Sequence, residues 1–72
     1  MELKIGARYR HYKGKEYRVL HEARHSETLE WMVVYECLYP NSEGLIWIRP
    51  KSMFLEDIEL DGGKVPRFSL LD

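Results

Sequence analysis

The sequence predicts an all-β domain: a small SH3-type, partly open barrel of five or six short antiparallel strands, with one helical turn near residues 50–55. Three observations lead there. Ala7, Tyr9 and His11 alternate with Arg8, Arg10 and Tyr12, the two-residue period of a strand rather than the 3.6-residue period of a helix. Turn-forming residues recur at short intervals, so the runs between them have strand length. No segment of a dozen residues keeps a helical apolar stripe. In a chain this small, paired or shortened edges also limit edge-to-edge association.

The elements follow in order. The first alternating run ends at Lys13-Gly14-Lys15, where glycine supplies the positive φ of a tight turn. Alternation resumes over residues 16–24, with Tyr17 and Val19 facing opposite to Arg18 and Leu20. Residues 25–28 are polar and turn-like, although Ser26 could also cap a short helix reaching toward Val34. The run EWMVVYECLY has the β-branched and aromatic content of a mostly buried strand. Both of its faces are apolar, so its inner face is not assigned. Pro40-Asn41-Ser42-Glu43-Gly44 is the strongest turn in the chain. LIWIR is a short strand stopped by Pro50, which has no N–H for a ladder. PKSMFL supplies the helical turn, FLEDIEL and KVPRF the closing strands, and Asp61-Gly62-Gly63 the hairpin between them.

Seventy-two residues make a single domain, residues 1–72, near the lower limit for a chain that folds alone. Such a core rarely leaves more than roughly 3–5 kcal/mol of net stability without staples or idealised packing. The single cysteine, Cys37, excludes an internal disulfide, and its apolar surroundings suit a reducing compartment. MELKIGARYR has no uninterrupted apolar stretch of a signal peptide. The longest apolar run is broken by Glu30 and Glu36, well short of the roughly 20 residues of a membrane helix. The expectation is a cytoplasmic protein without a membrane partner.

Net charge is −1, but its distribution is polar. Residues 4–18 hold six basic residues against Glu16, whereas residues 54–61 hold Glu56, Asp57, Glu59 and Asp61 with no base. That asymmetry can steer a charged partner at low salt.

YRHYKGKEYRVL, ARHSETLE, VVY, IWIRPKSMFLE and VPRF follow one another in the order of a bacterial family. The chain thereby resembles the domain of unknown function numbered 1653 over about residues 6–68. The resemblance implies a small SH3-like β-barrel and no assigned activity. PNSEG and the tail SLLD depart from the pattern where loops vary.

His25-Ser26-Glu27 brings together residue types found in hydrolytic sites. A serine nucleophile, however, needs its base within about 2.6–3.2 Å, and neighbours on an extended chain point to opposite faces. No Gly-x-Ser-x-Gly elbow accompanies them, so the preferred reading is a turn whose His25 and Glu27 offer polar contacts. His11, His21, His25 and Cys37 show no metal-type spacing, and no metal or cofactor is expected. Gly62-Gly63-Lys64 lies between strands instead of opening a helix, which excludes a phosphate cradle.

The cluster with chemical promise combines Trp47, Arg49 and Met53 with the first hairpin; Trp47 and Arg49 are two residues apart and therefore on one strand face. An aromatic beside a guanidinium can stack a planar ligand. With Arg10, His11, Arg24, His25 and Glu27 nearby, the site would be cationic with an aromatic floor. The competing reading buries Trp47 in the core and pairs Arg49 with Glu36 or Glu56.

These features point to a non-enzymatic binding module for an anionic or nucleotide-like ligand, nucleic acid or a peptide. The alternative is a small hydrolase or nucleotide-handling enzyme using His25 and Glu27. Near-neutral charge argues against nucleic-acid binding by the whole domain.

Overall fold

The alternation over Ala7, Tyr9 and His11 becomes strand β1 (Arg8–His11), which turns through Gly14 (φ 109°) into β2 (Glu16–Arg24). The computed structural model describes residues 3–71. Strands β3 (Trp31–Cys37) and β4 (Ile46–Pro50) continue the sheet. Pro50 ends β4 as expected and leads into the one-turn helix α1 (Lys51–Phe54). Strands β5 (Asp57–Leu60) and β6 (Gly63–Pro66) form a hairpin, and β7 (Phe68–Leu70) returns to the main sheet.

All strand pairings are antiparallel, in a five-stranded sheet ordered β4-β3-β2-β1-β7 and a separate two-stranded β5-β6 sheet. The all-β class and the helical turn agree with the sequence. One detail differs: the described strands number seven instead of five or six, because KVPRF divides at Arg67 into β6 and β7. The sheets do not close into a barrel, as the expected partly open form implies. The possible helix from Ser26 is absent: residues 25–30 form a hairpin loop closed by His25 N–H to Glu30 O at 2.8 Å, with Leu29 at φ 64°.

A β-bulge in β2 decides the faces. Val19 pairs with Tyr35 and His21 with Val34, leaving Leu20 as the extra residue. Such an insertion reverses the parity of the strand beyond it. Tyr17 and Val19 therefore face inward before the bulge, while Glu22, opposite buried Val33, does so after it. There Glu22 meets Lys51 of α1 at 2.8 Å.

The inner face carries the core: Ala7, Tyr9, Val19, Val33, Tyr35, Phe54 and Phe68. Phe54 stacks on Phe68 with ring centroids 4.0 Å apart and planes 5° from parallel. Tyr9 and Tyr35 close around Phe54 at 5.4 and 5.5 Å. At Asp61 and Gly62 both φ values are positive, 49° and 82°, the pattern of a two-residue hairpin turn. Among the described residues, no helix is long and apolar enough to cross a membrane.

Candidate functional site

The alternation of β4 places Trp47 and Arg49 on the inner face, and register sets Tyr35 opposite Trp47 and Val33 opposite Arg49. Strand β3 adds Cys37 two residues beyond Tyr35, and the chain continues to Tyr39. Together with Tyr17, Asn41 and Glu43 these side chains line an open pocket of about 210 Å³. It lies where the sheet runs past the end of the aromatic core.

Its walls are positioned by hydrogen bonds. Trp47 Nε1 donates to Gly44 O at 3.0 Å, which ties the indole to the turn preceding β4. The hydroxyls of Tyr17 and Tyr39 lie 2.9 Å apart, and Asn41 Nδ2 donates to Cys37 Sγ at 3.7 Å. The bond to Tyr17, then that to Cys37 and then burial hold the Tyr39 phenol above its ordinary range. Tyr39 is therefore a neutral hydroxyl in the pocket wall at physiological pH. Lys15 Nζ sits 4.2 Å from the centroid of its ring.

Arg49 supplies the charge. Its Nε donates to Tyr35 Oη at 3.4 Å, and its guanidinium lies 5.5 Å from the Phe68 centroid. Neither expected carboxylate partner holds it. Glu56 is engaged by Arg67, whose Nε donates to Oε1 at 3.1 Å, and no ion pair of Arg49 is found among the described residues. A half-buried guanidinium without a counter-ion is costly to desolvate, and an incoming anion would relieve that cost.

His11 adjoins this charge, packing edge-on against Phe68 at 4.9 Å and Tyr17 at 6.5 Å. Burial first, then Arg49, Arg67 and Lys13, lower its pKa below the ordinary 6.5. Its Nδ1 accepts the Lys13 N–H at 3.2 Å, so the neutral ring carries its proton on Nε2. The sign of the pH effect follows. The unfolded chain protonates near 6.5 and the folded chain only at lower pH, so His11 contributes full stability above 6.5. That contribution is lost as pH falls from 6.5 through the folded pKa. Urea titrations at pH 8 and pH 6 are expected to show a larger loss of stability for the wild type than for His11→Gln. Equal losses would refute the assignment.

The seven residues singled out in the sequence are divided by the structure. Trp47 and Arg49 share the pocket, and His11 stands beside it. Arg10 points to the outer face, where it donates to Glu16 at 3.2 Å. Arg24 ends β2, paired with Trp31 of β3, and His25 and Glu27 belong to the loop that joins the two strands. The Arg24 guanidinium lies 4.2 Å from the Trp31 centroid and reaches Leu29 O at 3.4 Å. His25 Nδ1 accepts backbone N–H groups from Glu27 at 3.1 Å and Thr28 at 3.3 Å. That nitrogen holds the turn together, which leaves ARHSETLE as a folded corner. A shallow apolar depression lined by Glu30, Trp31, Lys51, Ser52 and Leu55 lies near it and shares no lining residue with the Arg49 pocket.

Sequence reasoning missed Tyr17, Tyr35, Cys37, Tyr39, Asn41 and Glu43 as pocket walls. The alternation of Tyr35, Cys37 and Tyr39 was a usable signal, because it predicts one shared face. It could not show that this face pairs with that of Trp47. Among the described residues, no group of three or more His, Cys, Asp or Glu side chains is gathered as a metal site.

Residues 7–70 match the model of a family described as "Protein of unknown function (DUF1653)". The chain is also similar to the crystal structure of a DUF1653 protein from Bordetella bronchiseptica, at 36% identity and a TM-score of 0.87. The match covers 97% of this chain and 88% of that one. No curated protein matches the chain.

Proposed function

For this chain, which belongs to the DUF1653 family of unknown function, we propose a binding role without catalysis. Its ligand is a small, flat, anionic group of nucleotide-like chemistry, seated between Trp47, Tyr35 and Arg49. The observation that carries this reading is Arg49: a guanidinium on the inner face, bonded to a phenol and stacked near an aromatic ring instead of a carboxylate. The aromatic walls suit a planar body, and the tyrosine hydroxyls and Asn41 offer polar edges. A volume of about 210 Å³ suits a single ring system better than a drug-sized ligand, which typically takes roughly 300–1,000 Å³.

A long nucleic acid fits less well. Arg8 and Arg10 of the basic first hairpin are drawn to Glu16, at 3.6 and 3.2 Å, with Arg10 on the face opposite the pocket. Two cations of that hairpin are therefore partly neutralised, which weakens a surface for tracking a phosphate backbone.

Amide NMR titration with nucleoside monophosphates tests the reading. Shifts are expected at the Trp47 indole N–H, Tyr35 and Arg49, together with a rise in the His11 pKa as the bound anion offsets Arg49. Shifts confined to residues 24–27, or an unmoved His11 at saturation, would overturn it. A response to added peptides alone would reassign the groove to peptide recognition. Turnover that His25→Ala abolishes would replace binding with catalysis.

A further inference from the structure

We propose that the pocket selects a guanine base, read by Glu43 and Asn41 while Arg49 takes the phosphate. The inference rests on the nucleotide-like ligand proposed above and adds which base that ligand carries. It starts from a charge that a plain anion site does not need. Glu43 lines the same pocket as Arg49, and no ion pair engages its carboxylate among the described residues. A free carboxylate beside an anion repels it, unless the ligand presents N–H donors to that end.

The two charges belong to different ends of the site. Arg49 follows Trp47 by two strand residues, about 7 Å along β4. Glu43 precedes Trp47, on the turn to which the indole is tied by its Nε1 bond to Gly44 O at 3.0 Å. A planar group lying against Trp47 and Tyr35 therefore has a guanidinium toward one end and a carboxylate toward the other. The matching ligand carries its anion at the first end and hydrogen-bond donors at the second.

The same turn supplies a donor beside the carboxylate. Asn41 Oδ1 accepts the Glu43 N–H at 3.0 Å. That bond assigns the orientation of the amide and leaves Nδ2 to donate to Cys37 Sγ at 3.7 Å. An amide nitrogen carries two hydrogens, so one N–H of Asn41 remains for a ligand. The turn thus offers a single donor next to a two-oxygen acceptor.

Among the common bases, guanine presents the complement. Its pairing edge runs from the O6 carbonyl through the ring N1–H to the 2-amino group, one acceptor followed by two adjacent donors. The Glu43 carboxylate accepts both donors together, and Asn41 Nδ2 meets O6. Adenine and cytosine set an unprotonated ring nitrogen beside their amino group, and its lone pair opposes the second carboxylate oxygen. Uracil places a single N–H between two carbonyls, one of which meets that oxygen.

Calorimetric titration of the full chain with the 5′-monophosphates of guanosine, inosine, adenosine, cytidine and uridine tests this. Guanosine monophosphate is expected to bind about 10-fold more tightly than the others, the scale of hydrogen bonds to a charged group. Inosine monophosphate keeps O6 and N1–H and lacks only the 2-amino group, so its deficit isolates the contact to Glu43. Glu43 is exposed, and Glu43→Gln keeps the backbone N–H that closes the turn, so the variant should fold as the wild type does. In it, the ratio of guanosine to inosine monophosphate affinity should fall toward one. Equal affinities for all the monophosphates overturn the base assignment and leave the nucleotide reading standing. A guanine preference that persists in folded Glu43→Gln also overturns it, and binding of none of them removes both readings.

Discussion

Phe54→Ala is expected to abolish cooperative folding at 25 °C. Phe54 is fully buried, stacked on Phe68 and enclosed by Tyr9 and Tyr35. Truncating a buried phenylalanine costs about 3–5 kcal/mol through lost transfer energy and the cavity left behind. A single core of this size supplies a net stability of roughly the same magnitude. No local reserve offsets the loss. Helix α1 has four residues and no side-chain cap, too little to hold its shape without the ring that anchors it. Phe54→Leu should instead remain folded with a lowered midpoint, since it leaves a smaller void. Thermal and urea denaturation followed by circular dichroism distinguish the two. A cooperative Phe54→Ala transition close to that of the wild type would show that Phe54 is not the plug of this core.

Arg49→Ala is expected to weaken nucleotide binding by about 10- to 100-fold, the scale of losing hydrogen bonds to a charged partner, roughly 1.5–3 kcal/mol. The fold should survive, because no carboxylate is left unpaired when Arg49 is removed. Arg49→Lys should restore only part of the affinity, as an ammonium lacks the planar fork that grips an anion and stacks on a ring. A second readout needs no ligand. Arg49 is one of the causes that lower the His11 pKa, after burial. In Arg49→Ala that pKa should therefore move up toward its ordinary value, as followed by the ring protons in an NMR pH titration. Full affinity in Arg49→Ala, measured by calorimetry, would remove the guanidinium from the site.

The candidate site was half legible in the sequence. Trp47 and Arg49 are two residues apart, and that spacing alone put them on one face. Their wall partners Tyr17 and Tyr35 are remote in sequence and join them only through the pairing of β2 with β3 and β3 with β4. Arg10 and His11 show the limit from the other side. They are adjacent, yet strand geometry sends one to Glu16 on the outer face and the other to Phe68 within. Arg24, His25 and Glu27 formed an attractive cluster as letters, but the backbone of the loop uses His25 Nδ1 for its own closure.

What the sequence determined by itself is what acts over a few residues. Steric limits on φ and ψ placed turns at Gly14 and at Asp61-Gly62, side-chain alternation marked β1 and the first half of β2, and β-branched and aromatic content marked β3. The ring of Pro50 set the end of β4 and the start of α1. The tertiary structure decided everything that depends on which strand meets which. The bulge at Leu20 reverses the face of the second half of β2, because only the partner strand defines where an extra residue lies. The division of KVPRF into β6 and β7, and the position of β4 at an edge, arise in the same way. Backbone conformation is a local energy, whereas register, face and edge are set by non-local burial of Val19, Val33, Tyr35, Phe54 and Phe68 in one core.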